Sequence, residues 1–255
     1  NCSRVTFPIS SRTRARNASG GRIMFENPLF WLFAAPGILL GLYAQSRIKL
    51  NYTKYSQVHT ASGLTGAEVA RKLLDSQGLQ NIRIESTPGV LSDHYDPRSK
   101  ILRLSQEVYY TPSVAAAGIA AHEAGHALQD AADYFPMEAR SFIVPIVQIA
   151  AKVAPWIFFA GLAIGNAAIA WAGIILFGTQ TLFTLVTLPV EYDASARARK
   201  LLIAQNIVTQ EENIEGLKKV LGAAAWTYVA GAVSALGSLL YLVMMLMGRR
   251  RVRHA

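Results

Sequence analysis

Three stretches of this chain, residues 27–46, 153–190 and 220–248, contain no Asp, Glu, Lys or Arg over 20, 38 and 29 consecutive positions. A helix needs roughly 20 mostly apolar residues to cross a bilayer, so these lengths supply one, two and one crossings. The expected fold class is mainly α: a multi-pass helical membrane protein with about four transmembrane helices and a small α+β region between them. Only 16% of the 255 residues are charged, fewer than a water-soluble domain of this size carries. Cys2 is the only cysteine, which excludes disulfide staples and cysteine-based metal sites.

The middle stretch must hold two helices and a turn. Gly165 and Asn166 are its best turn signal, yet only 12 uncharged residues precede them. The first helix of the pair is therefore expected to start nearer Pro145, with Lys152 snorkelling to the interface or facing a partner helix. One long tilted helix beside a buried soluble helix is the alternative. The net charge of +9 is concentrated in basic runs at 4–22 and 249–253. Beside apolar helices, such runs read as membrane-flanking charge and not as a nucleic-acid surface. Residues 1–23 differ in composition from the rest and Met24 directly precedes the first apolar run, so 1–23 is expected to be a non-native or disordered basic extension. It lacks the apolar core of a secretory signal.

The expected organisation is a first crossing at 24–46, a catalytic α+β region at 47–140 and a transmembrane hairpin at 141–190. A helical segment at 191–219, a last crossing at 220–248 and a basic tail at 249–255 complete it. Within 47–140, Thr65 and Glu68 have capping-box spacing and open an apolar pattern that stops at Gly78, which predicts a short helix. Alternation at 81–85 and 100–104 predicts two strands, with Asp96 and Pro97 turning the chain just before the second. Strand 100–104 could be a sheet edge that pairs with an extended substrate. Thr111, Pro112 and Ser113 cap an alanine-rich run at 114–132 that predicts a longer helix.

That helix contains HEAGH at 122–126. Residues four apart share a helix face, so His122 and His126 can reach one tetrahedral zinc, while Glu123, about 100° around the helix, lies beside the water position. Zinc there lowers the water's pKa toward ~7 and polarises a carbonyl, and Glu123 is placed as general base. A hydrolytic zinc takes three protein ligands. The chain continues ALQDAA, without the downstream Gly and His of metzincins, and contains no Asp-Gly pair of the kind that intramembrane site-2 proteases use. A glutamate remains, and Glu191 is the best candidate because it stands where the uncharged hairpin returns to the side carrying the zinc helix; Asp193 is in reserve. His94, Tyr192 or Arg197 can donate to the substrate or the oxyanion.

HEAGHALQ at 122–129, DHYDPRSKILRLS at 93–105 and LPVEYDASARA at 188–198 resemble the bacterial YugP-type neutral zinc metallopeptidases over roughly residue 25 to the C-terminus. More distantly, the order of zinc helix, membrane hairpin and glutamate resembles the HtpX and CAAX-prenyl-protease type of membrane gluzincin. The resemblance implies His122, His126 and Glu191 as ligands of one Zn2+ per chain and Glu123 as base. Where the HtpX-type pattern has an aspartate four residues after the ligand glutamate, this chain has Ser195, which leaves the orienting of a ligand histidine to Asp193 or the 93–98 loop. The implied activity is hydrolysis of peptide bonds in a peptide or protein substrate at a bacterial cell membrane, amid lipid and without nucleic acid, the active site facing the cytoplasm. A non-catalytic membrane scaffold that keeps the zinc is the alternative, but it has no need of Glu123.

Overall fold

The computed structural model describes residues 27–253, so the segment at 1–23 and residues 254–255 of the basic tail lie outside the described residues. Helix α1, Pro28–Tyr55, starts with proline at its first turn and with the Asn27 side chain accepting from the Leu29 N–H at 3.0 Å, which satisfies one of the orphan donors of a helix N-terminus. The chain then builds a compact head from α2 (Gly66–Ser76), β1 (Arg83–Thr87), β2 (His94–Asp96), β3 (Ile101–Ser105), α3 (Gln106–Tyr110) and α4 (Val114–Ala131). Three long helices follow, α5 (Phe135–Ile164), α6 (Ala167–Ala204) and α7 (Glu211–Arg253). By length and composition α1, α5, α6 and α7 are able to cross a membrane.

The α5–α6 turn falls at Gly165 and Asn166. Gly165 adopts φ 72°, a left-handed conformation that glycine reaches without penalty, and Asn166 caps α6 by accepting from Ala168 and Ile169. The long helices extend beyond the charge-free stretches. At 1.5 Å per residue the 38 residues of α6 run about 57 Å, against roughly 30 Å of hydrocarbon. Past Val190 the helix continues because Ala194, Ala198 and Leu202 still bury one face in the head. Segment 191–219 is thus the head-side continuation of two crossing helices, joined by a short turn. Likewise α5 begins at Phe135 with Pro136 in its first turn, ten residues before Pro145, and Lys152 is exposed on its surface.

In the head, α2 carries the expected capping box. Glu68 accepts from the Thr65 N–H at 2.8 Å, and the Thr65 hydroxyl accepts from the Glu68 N–H at 3.3 Å. Val69, Leu73 and Leu74 of α2 pack with Leu102, Leu104 and Val108 into one core. The sheet has order β1-β3-β2, with β1 parallel and β2 antiparallel to β3. Strand β3 is therefore central, and the expectation of a free edge at 100–104 is corrected. The segment before it folds back through an Asx turn, in which Asp96 accepts from the Arg98 N–H and the Ser99 hydroxyl, and pairs as β2. The free edge on this side belongs to His94–Asp96.

Helix α4 is the hub. Its alanines at 115, 116, 117, 120, 121, 124 and 127 are all buried, and such small side chains let α2, α6, α7 and the sheet close in from every side. A Cβ added at Gly125 would stand 2.6 Å from the Ala194 carbonyl oxygen, so glycine is what allows α6 to approach α4 here.

Candidate metal centre

That close approach fixes the site. Glu191 lies one turn before Ala194 and Ser195 on α6, and this places its carboxylate against the imidazoles of α4. The His122 and His126 Nε2 atoms are 3.2 and 3.5 Å from the same oxygen, Glu191 Oε2, and the three donor atoms all lie within 4.8 Å of one another. Ligands on a tetrahedral zinc at about 2.0–2.1 Å are separated by about 3.3–3.4 Å, so both histidine-to-glutamate spacings match an edge of that tetrahedron. Glu191 is 2% and His126 7% exposed. His122 is half-buried beside them, and a divalent metal with N and O ligands fits this donor set.

The supporting hydrogen bonds set the tautomers. The Gln129 side-chain amide donates to the Val190 carbonyl at 2.7 Å and to Asp193 at 2.9 Å. Its Oε1 therefore faces His126 Nδ1, 3.0 Å away, and that nitrogen must carry the proton. The lone pair of neutral His126 is left on Nε2, toward the cluster. On the other imidazole, His122 Nδ1 pairs with the Ser195 hydroxyl at 3.1 Å. The position at which the HtpX-type pattern changes thus still holds His122 in place, through a hydroxyl instead of a carboxylate. Burial by itself works against a charged His126, but the Glu191 and Glu123 carboxylates outweigh it and hold its proton above the ordinary histidine range. A metal entering the cluster must displace that proton.

The cluster opens onto a cavity of about 970 Å3 between the head and α5, lined among others by Glu123, Asp93, His94, Arg140 and Tyr228. Glu123, 9% exposed, is on its wall. Asp93 accepts from the Ser105 N–H at 2.7 Å, and its carboxyl is pushed up mainly by burial, with the charge of Glu123 adding to the effect. Arg140 reaches the second oxygen of Glu191 at 3.3 Å, and Tyr228 lines the same cavity beside it.

The other residues singled out from sequence fall around this centre. His94 is on the exposed β2 edge at the cavity rim, its Nδ1 against the Ser92 carbonyl. Asp193 is tied to Gln129 and, at 2.6 Å, to Arg197, whose guanidinium lies over the Tyr134 ring. Tyr192 is 52% exposed and outside the cavity lining. Sequence reasoning passed over Gln129, which its position three residues after His126 could have revealed. It also passed over Arg140 and Tyr228, which come from the long helices α5 and α7 and have no local signal.

Comparison with known proteins gives the family. Residues 30–247 match the model of a family described as "Putative neutral zinc metallopeptidase". The chain is 43% identical over 222 residues to the "Putative membrane protease YugP" of Bacillus subtilis (strain 168), covering 87% of this chain and 97% of that protein. No solved structure matches. With four membrane-length helices and a family match across most of its length, the chain belongs to the neutral zinc metallopeptidase family, as a YugP-like membrane member.

Proposed function

We propose that this protein is a membrane-bound zinc metalloendopeptidase of the gluzincin type. His122, His126 and Glu191 hold one zinc per chain, and Glu123 is the general base. The observation that carries the reading is the convergence of two imidazoles and one buried carboxylate at tetrahedral spacing, with Glu123 on the wall of the adjoining cavity. Zinc bound there supplies a Lewis acid that polarises the scissile carbonyl and makes a water acidic enough to lose its proton near neutral pH. Glu123 takes that proton and passes it to the leaving amine. Tyr228 and Arg140, donors beside Glu191, are placed to hold negative charge developing on the carbonyl oxygen, with His94 further out on the rim. The free β2 edge, running along the cavity, suits backbone pairing with an extended peptide.

The protein is assigned to the bacterial cell membrane with its head in the cytoplasm. With residues 1–23 set aside, Arg47, Lys49, Lys54, Arg140, Arg197, Arg199 and Lys200 near the head-side helix ends outnumber the four arginines at 249–253 at the other end, which by the positive-inside rule favours a cytoplasmic head. The activity is tested with detergent-purified protein and quenched-fluorescent casein. Cleavage should be lost on chelation and restored by zinc. Glu123→Gln should lower kcat by about 10^2-fold or more while leaving zinc bound. Undiminished cleavage by that variant would contradict the mechanism.

A further inference from the structure

A second cavity lies away from the metal centre, between α1 and α7, and shares no lining residue with the first. The two helices run antiparallel in a defined register. The Phe30 and Tyr241 rings meet edge to face at 5.5 Å, Tyr43 meets Trp226 at 6.0 Å, and Asn51 Nδ2 donates to the Lys219 carbonyl at 2.8 Å. In this register the charge-free stretches of both helices end at one level. Arg47 directly follows the first stretch, and Lys218 and Lys219 directly precede the second. The cavity, about 170 Å3, sits at that level. Gly222 borders open space on this wall, since a Cβ there would meet nothing within 4 Å.

The charges are left available. Lys219 pairs with Glu215 at 2.8 Å, whereas among the described residues neither Arg47 nor Lys218 has a carboxylate at ion-pair distance. Tyr43 and Trp226, 48% and 43% exposed, form the lip on the membrane side, and Leu39 continues the Tyr43 face toward the bilayer interior at 64% exposed. Cations above and aromatic rings below, at the end of two spanning helices, match a molecule with an anionic head and apolar tails. A free phosphate ion would use the cations and leave the aromatic lip without a role. The geometry points to a binding site for one anionic phospholipid in the α1–α7 groove, with Arg47 and Lys218 holding the headgroup phosphate and Tyr43 and Trp226 flanking its acyl chains.

The test is native mass spectrometry of the full chain in detergent, titrated with phosphatidylglycerol, phosphatidylcholine or inorganic phosphate. One phosphatidylglycerol should bind about tenfold or more tightly than phosphatidylcholine. Arg47→Gln with Lys218→Gln should abolish the preference, and Arg47→Lys with Lys218→Arg should retain it. Arg199→Gln with Lys200→Gln, neutral changes elsewhere on the head, should also retain it. Equal binding of the two lipids, an unchanged preference in the Arg47/Lys218 glutamine pair, or loss of preference in the Arg199/Lys200 pair would overturn the assignment. So would failure of the Lys/Arg pair to keep the preference, since that loss would report damaged packing. Displacement of phosphatidylglycerol by millimolar inorganic phosphate would also overturn it, in favour of a free anion as ligand.

Discussion

Gln129 is fixed before it meets the metal centre: two acceptors, Val190 O and Asp193, hold its amide nitrogen and force its oxygen onto His126. Replacing it with leucine keeps the volume but frees the imidazole to rotate and to change tautomer. Loss of such an orienting partner costs about 10–100-fold in metal affinity, so Gln129→Leu should raise the zinc Kd by that factor in competition with a chromophoric chelator. An unchanged Kd would remove Gln129 from the site. His122, Glu123 and His126 were legible in the sequence because their relation is local, the two histidines standing four positions apart on one helix. Glu191 was legible because an uncharged hairpin must bring its two ends to the same side. Tyr228 and Arg140 were not, since their proximity to Glu191 depends on how α5 and α7 pack, which periodicity does not encode.

At the scale of elements, the site depends on how closely α6 packs on α4. The carbonyl of Ala194 leaves no room for a Cβ at Gly125, and overpacking of this kind costs about 1–3 kcal/mol. Gly125→Ala should therefore lower the thermal midpoint and the zinc content together. Gly41→Ala, where a Cβ meets nothing within 4 Å, should leave zinc content unchanged and stabilise α1 by up to ~1 kcal/mol. Equal effects of the two substitutions, followed by thermal unfolding in detergent, would separate the α4–α6 contact from the integrity of the site. Capping residues marked α2 and α4 correctly. Strand β2 escaped because three residues are too few for alternation to register, and with it went the order of the sheet.

For the whole molecule, four crossings would put the head on one face of the membrane and the outer ends of α1 and α7 on the other. Reporter fusions after Gln80 and after His254 should accordingly report opposite sides, with the Gln80 fusion cytoplasmic; matching sides would refute the four-crossing arrangement. The number of membrane-length helices could be read from charge-free lengths alone. The extents of the helices could not, because α6 and α7 continue into the head, where burial of one face against α4 takes over from the bilayer as the reason to stay helical. That continuity has a consequence for function, since the glutamate of the metal cluster is carried on the same rigid rod that spans the membrane.

The most direct measurement is zinc bound per chain in metal-replete, detergent-purified protein, comparing the unaltered sequence with Glu191→Ala and Glu123→Gln. One zinc in the parent and in Glu123→Gln, with at least about a tenfold weaker hold in Glu191→Ala, is the expected result. No zinc in the parent, or full and equally tight zinc in Glu191→Ala, would contradict the assignment of His122, His126 and Glu191 as the metal site.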